Sequence, residues 1–410
     1  MKLDIKFWLR FSLINLCIVA FLGVLMRYKI GFEFPFLNQK NLQHSHSHFA
    51  FTGWISHTLM TLMIYYLQSR IADFTGNKYK KVLIANLICS YGMLIFFIIQ
   101  GYGSLSILFS TSSIIISYVF SYYYFKDLKQ IDQNLLSKNW FKAALFFNII
   151  SSLGTFYLAY MMASKNLVQD LYLSSIYYYL HFQYNGWFFF ACMGLFFGLL
   201  NLKKTDHPFY ETAFKLFAAA CIPAYFLSIL WLDFPVWLYV ITALSAIIQV
   251  YAWFKLVLVL IKTRRNFFEN YTLLLRYILL FVGLALSVKL LLQLGSTIPF
   301  ISDLAFGFRP IVIAYLHLVL LAVISLFLLF YIYANALFII DKKIKFGILL
   351  FTIGVLLNEI VLAVQGIASF SYTVIPYVNE TLFGIALLLL FGIGFTAISS
   401  KIKVKNNPVL

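Results

Sequence analysis

The sequence contains few charged residues and especially few acidic ones. Only 11% of its 410 residues are charged, and 14 Asp and Glu stand against 31 Lys and Arg. A soluble domain carries about 25% charged residues, so this composition excludes a soluble enzyme, a disordered chain and a DNA-binding domain. Apolar residues make up 62% of the chain and the mean hydropathy is +0.89, which indicates a polytopic membrane protein.

Cysteine is also scarce, and its placement marks no site. Cys17, Cys89, Cys192 and Cys221 lie within apolar runs and form neither a C-x-x-C pair nor a C-x-x-C-H haem attachment motif. We expect them to be small buried hydrophobes, and we expect no covalently attached haem. No small-residue cleavage site follows the apolar stretch 7–26, so we expect this stretch to be a helix rather than a signal peptide.

Long apolar runs dominate the chain instead. A membrane-spanning helix needs about 20 apolar residues, whereas a barrel strand has about 10 residues of alternating character. Because the runs are long and continuous, we predict an all-α polytopic membrane protein with twelve transmembrane helices. Their predicted ranges are 7–28, 46–68, 81–102, 104–125, 140–163, 176–201, 209–231, 234–261, 270–294, 309–334, 345–367 and 376–400.

The basic residues predict how these helices are oriented. With the N-terminus inside, 24 Lys and Arg fall in the inner segments and five in the outer loops, which predicts cytoplasmic termini. We therefore attribute the positive charge to topology and to some attraction to anionic lipid, and we expect no nucleic-acid partner. The outer five are Arg27, Lys29, Lys40, Lys165 and Arg309, and the inner set includes Lys2, Lys6, Lys342, Lys401 and Lys403.

Histidines recur at a regular interval. His48, His181 and His317 are separated by 133 and 136 residues, and each lies early in the second, sixth or tenth predicted helix. Each is followed by a small residue five positions later. A fixed interval of four helices predicts three tandem four-helix units with pseudo-threefold symmetry. The predicted units are about 1–135, 136–265 and 266–410 of a single domain 1–410, and the small residues are Gly53, Gly186 and Ala322.

These three histidines are predicted to lie at one depth, in the outer part of the membrane. Intramembrane polar residues are costly and tend to be functional, and imidazole suits iron, copper and zinc. The alternative is a packed histidine bonded to a neighbouring carbonyl. No acidic residues lie nearby to complete a carboxylate-rich site, and a haem held by one histidine from each of two helices suits an aromatic, apolar bundle.

The pattern resembles subunit I of the haem–copper oxidases, including the nitric oxide reductase branch. This family has twelve core helices in three pseudo-symmetric arcs, so the architectural resemblance covers nearly the whole chain, while the motifs lie in three short stretches. The resemblance implies that helix two supplies an axial ligand to a low-spin haem, here His48 or His46, with His44 as an outer candidate. In helix ten it implies His317 as the second ligand, with Tyr315 at the position of the family's other histidine.

The resemblance also implies a copper ligand on helix six, but the copper site is incomplete. His181 matches that ligand, and Asn185 stands where the reductases have glutamate. The seventh predicted helix lacks the family's His-His pair, and His207 lies at its inner end. We therefore expect one haem b between the second and tenth helices, doubtful copper, and an oxidoreductase role that the sequence leaves open. Electrons would come from a cytochrome c or a quinol, in a respiratory chain with other oxidase-type subunits.

Three further groups of polar residues have predicted roles. Arg309 lies two turns before His317 and is either a partner of a haem propionate or an interfacial anchor. Glu359 in the eleventh predicted helix is expected to pair with Lys289 of the ninth, the alternatives being a protonated carboxyl or a proton path. His44 and Tyr315 are candidates for an unconventional second site.

Two other functions remain open from the sequence. One is a non-enzymatic haem–copper membrane protein of the nitrosative-stress type, and the other is a repeat-built transporter whose histidines bind substrate or protons. All three readings place the chain in the lipid bilayer, and we expect a bacterial inner membrane.

Overall fold

The computed structural model describes residues 2–400, and in this range the chain is all-helical, as predicted. No β-strand occurs among these residues, and one isolated β-bridge joins Leu135 to Lys203. Lys401 and Lys403, which contributed to the predicted orientation, lie outside the described residues.

Sixteen α-helices make up most of the described chain. Polar side chains begin several of them: Asp4, Asn38 and Asp341 accept hydrogen bonds from backbone N–H groups of the first turn, which would otherwise lack partners. The helices are α1 (Ile5–Gly31), α2 (Gln39–Phe49), α3 (His57–Arg70), α4 (Asn77–Gln100), α5 (Ser104–Leu128), α6 (Leu136–Ala163), α7 (Gln169–His181), α8 (Phe189–Leu199), α9 (Pro208–Cys221), α10 (Val236–Thr263), α11 (Leu273–Gly295), α12 (Pro299–Gly307), α13 (Arg309–His317), α14 (Leu326–Ala334), α15 (Lys342–Phe370) and α16 (Val378–Ser399).

Nine helices of the described chain are long and apolar enough to cross a membrane, with 309–334 counted as one. A tenth is obtained when α9 and the 3₁₀ segment Pro223–Ile229 are taken together, although they are bent by 47°. Proline explains the bend, because Pro223 has no N–H to donate and its ring clashes with the preceding turn.

Three π-helical segments interrupt the helices that carry the repeated histidines. The first (Ala50–Ser56) joins α2 to α3, the second (Phe182–Phe188) joins α7 to α8, and the third (Leu318–Ser325) joins α13 to α14. They begin two, one and one residues after His48, His181 and His317, respectively. The π turn is rare and is frequent at functional sites. No feature of the sequence predicts these π segments directly.

The three π segments meet in the interior of the bundle. The Trp54 indole N–H donates to the Ser325 hydroxyl at 2.8 Å, and the Trp187 indole N–H donates to the Ser56 hydroxyl at 3.3 Å. Both indoles are buried. At the periphery, α1 packs against α16, so the first and last helices of the described chain are neighbours.

Candidate functional site

Helices α2 and α13 bring two imidazoles together. His46 and His317 are neighbours, although they are 271 positions apart in the chain. The His46 ring lies against α1, where its Cε1 would be 3.7 Å from a Cβ built on Gly23. The carbonyl of Val19, one turn earlier on α1, also lies beside this ring.

The two rings differ in their hydrogen bonds. The Nδ1 of His317 is 2.8 Å from the backbone carbonyl of Ile313, so this nitrogen carries the proton and donates. The other nitrogen, Nε2, makes no hydrogen bond to the part of the chain that the structure describes and keeps its lone pair. The Nδ1 of His46 is buried without a partner of good hydrogen-bond geometry. One histidine oriented through a single nitrogen, near a second whose Nδ1 lacks a partner, supplies the donor groups that a haem held by two imidazoles needs.

Two arginines lie near this pair. Arg27, assigned from the sequence to an outer loop, lies inside α1 and near His317. It forms no ion pair within residues 2–400. Arg309 donates from Nη2 to Oε1 of Gln43 on α2 at 3.0 Å. Arg27 was not predicted as a site residue, because a positive charge near the end of a membrane helix is ordinary in the sequence.

His44 and His48 lie on another face of α2. His48 stacks on Phe97 with ring centroids 4.3 Å apart, and its Nε2 is 3.1 Å from the hydroxyl of Tyr102. The His44 ring also contacts Tyr102, with centroids 4.7 Å apart. Two helical residues such as His46 and His48 point in nearly opposite directions, so they cannot face the same partner. These contacts favour His46 over His48 as the residue opposite His317.

His181 is fully buried and has a protein partner at each ring nitrogen. Its Nε2 donates to the carbonyl of Cys221 at 2.8 Å, and its Nδ1 accepts from the Asn185 amide at 3.1 Å. The helix break at Pro223 explains why that carbonyl is available: the N–H of Tyr225, its partner in a regular helix, bonds Ile222 instead. Because both of its ring nitrogens have protein partners, His181 stabilises the helix break at Pro223.

Tyr315 and His44 have different surroundings. Tyr315 lies beside Asn185 and Tyr184, and the two tyrosine rings are 6.3 Å apart. The contacts of His44 are with Phe97 and Tyr102, so the two groups of neighbours share no residue. A second site built from His44 and Tyr315 therefore has no support in these contacts.

The other two histidines have local partners. His207 caps α9, with its Nδ1 accepting from the backbone N–H of Phe209 at 3.1 Å. His57 is buried with its Nδ1 3.3 Å from the Asn86 amide, and its Nε2 has no partner. Neither residue adjoins the pair His46 and His317 through a hydrogen bond.

The predicted ion pair between Lys289 and Glu359 is wrong. Glu359 accepts a hydrogen bond from its neighbour Asn358 at 3.2 Å, and Lys289 lines a cavity beside Cys221. The helical period of the sequence predicts that both residues point into the bundle. It does not predict which helices contact each other. No group of three or more His, Cys, Asp or Glu side chains within the described range is arranged to hold a metal ion.

Comparisons with known proteins do not assign a family. No protein-family model matches the chain, and no curated protein shows significant similarity to it. The resemblance inferred from the sequence therefore rests on the histidine spacing and on the order of the helices.

Proposed function

We propose that this chain is a membrane haem protein in which one b-type haem lies between α2 and α13, with His46 and His317 as axial ligands. The observation that carries the proposal is the adjacency of the two imidazoles, with His317 oriented through its Nδ1. A b-type haem is proposed because no attachment motif for a covalent haem occurs in the sequence. When bound, haem supplies one-electron transfer.

The surrounding residues would hold the ligands and the haem edge. The Ile313 carbonyl fixes the tautomer and the ring plane of His317, and the His46 ring lies beside the Val19 carbonyl of α1. Arg27 and Arg309 are suited to the haem propionates, because guanidinium and carboxylate form strong charge-assisted hydrogen bonds. Arg309 is already positioned by Gln43.

We also infer twelve membrane spans in three four-helix units. Adding the helical runs 39–70 and 169–199, each joined by a π segment, to the ten spans described above gives twelve. The matched π segments support the threefold repeat. So do the two interior hydrogen bonds, because Trp54 and Trp187 follow the aligned histidines by six residues and Ser56 and Ser325 by eight.

This arrangement supports a divergent relative of haem–copper oxidase subunit I with both termini in the cytoplasm. The proposal includes no copper at His181, because both of its ring nitrogens have protein partners and the facing helix α9 contributes Cys221 rather than histidine. We therefore propose electron transfer as the function. A cytochrome c or a quinol would be the donor, and other oxidase-type subunits would be the partners.

A transporter is the second candidate, favoured by the 47° break between α9 and Pro223–Ile229. Discontinuous helices often form substrate sites in transporters built from repeats. This candidate predicts that the purified protein folds without haem or metal.

Chemical analysis distinguishes the two candidates. A pyridine haemochrome assay with metal analysis on the detergent-purified full-length protein gives the haem type, the haem count and the copper content. The haem proposal predicts one haem b per chain. A monodisperse protein that contains no haem would instead support the transporter.

A further inference from the structure

A small cavity lies between α8, α9, α10 and α11, at the helix break at Pro223. Four apolar side chains and five polar ones line it, and the space admits about one water molecule. None of the lining residues is acidic. The polar ones are His181, Asn185, Cys221, Gln249 and Lys289.

Lys289 is the unexplained member of this set. Its side chain lies on α11, and the residue is 5% exposed, yet it makes no ion pair and no hydrogen bond to any residue in the range 2–400. Gln249 on α10 is 7% exposed and likewise has no hydrogen-bond partner there. The amine and the amide therefore face the cavity with unused donors.

The other polar groups cannot supply the missing negative charge. His181 and Asn185 bond each other, and His181 also bonds the carbonyl of Cys221. The Cys221 sulfur lies 3.8 Å from the carbonyl of Asn185, toward which its S–H is directed as a weak donor. A buried ammonium without a counter-charge is strongly unfavourable, and burial is compensated when an anion pairs with it.

We propose that this cavity binds one small monovalent anion of the size of chloride, held by the ammonium of Lys289 and the side-chain amide of Gln249. The size follows from the single water-sized space, and the charge follows from a cation with no carboxylate around it. This site does not depend on the proposed haem, since it lies at His181 and Cys221 rather than at His46 and His317.

The test is anion-dependent stability of the purified full-length protein. Thermal unfolding is measured in sodium chloride and in sodium gluconate at equal ionic strength, because a ligand that binds only the folded state raises stability with its concentration. We expect the midpoint to rise with chloride concentration in the wild type. The matched control is Lys255→Met, which removes an exposed lysine of α10 outside the cavity and should keep this dependence.

Variants of the cavity locate the effect. Lys289→Met should abolish the chloride dependence, and Gln249→Leu should weaken the apparent affinity by about tenfold or more. If Lys289→Met does not fold, two other experiments test the proposal. One is the chloride dependence of Gln249→Leu, and the other is anomalous diffraction from wild-type crystals grown in bromide, in which we expect a bromide peak beside Lys289. Equal midpoints in chloride and gluconate, or a chloride effect unchanged in both variants, would overturn the proposal. The haem content of Lys289→Met, expected to be that of the wild type, keeps this test separate from the haem proposal.

Discussion

The indole N–H of Trp54 donates a hydrogen bond to the hydroxyl of Ser325 at 2.8 Å, across 271 positions of the chain. Trp187 and Ser56 form the equivalent bond at 3.3 Å, and both pairs have the same offsets from the aligned histidines. The third possible pair is absent because Val323 stands at the tryptophan position and Phe189 at the serine position. The same tryptophan–serine hydrogen bond therefore occurs twice in the interface between the three π segments.

Removing one of these bonds should destabilise the bundle. Ser325→Ala leaves the buried indole N–H of Trp54 without an acceptor, which costs about 1–3 kcal/mol in the free energy of unfolding. Denaturant titration of the purified protein measures this change. Thr352→Val is the control, because the Thr352 hydroxyl bonds only the Ile348 carbonyl of its own helix. An equal loss in both variants would show that the bond between helices contributes nothing specific.

Helices α6 and α7 approach closely at Gly154. A Cβ built there would lie 2.5 Å from the carbonyl oxygen of Ser175, so Gly154→Ala must push the two helices apart. We expect a loss of about 1–3 kcal/mol in unfolding free energy, as for other overpacked positions. Gly283→Ala on α11 is the matched control, since nothing lies within 4 Å of its added Cβ. In the control, alanine should be neutral or stabilise the helix by up to about 1 kcal/mol.

Lys289 and Glu359 should contribute to stability independently. They form no ion pair in the structure, so the effects of Lys289→Met and Glu359→Gln should add within about 0.5 kcal/mol. A double-mutant cycle on unfolding free energies measures the coupling. A coupling free energy above about 1 kcal/mol would show that Lys289 and Glu359 do form the ion pair expected from the sequence.

Arg27 should tune the reduction potential of the proposed haem. Its guanidinium lies near His317, and a nearby positive charge favours the reduced haem. Arg27→Leu should therefore lower the midpoint potential by about 30–60 mV, where 59 mV corresponds to a tenfold change in a one-electron equilibrium. Lys29→Leu is the control, because the Lys29 ammonium bonds the Phe34 carbonyl near the end of the same helix. A redox titration in which both variants shift equally would contradict a specific role for Arg27.

The helical class and the positions of most helices follow from the sequence, because apolar runs in a membrane must satisfy their own backbone hydrogen bonds. The spacing of His48, His181 and His317 also identified the three helices that turned out to contain π segments. Apolar length and spacing are properties of the chain itself, so they can be read without coordinates.

The details of the site could not be read in this way. The sequence left both His46 and His48 as candidate ligands, and the structure separates them by their contacts, because His46 lies near His317 whereas His48 contacts Phe97 and Tyr102. The role of His181 depends on a carbonyl freed by Pro223 on another helix, and the Lys289–Glu359 pair failed because sequence does not specify which inward faces meet. Each of these is a relation between helices rather than a property of one helix.

The absorbance spectra of His46→Ala, His48→Ala and His317→Ala test the central claim most directly. In the purified wild type we expect the spectrum of a haem b with two imidazole ligands. His46→Ala and His317→Ala should each lose that spectrum, whereas His48→Ala, changed only two residues away on the same helix, should keep it. A wild type without haem, or a bis-imidazole spectrum that survives in both His46→Ala and His317→Ala, would contradict the account.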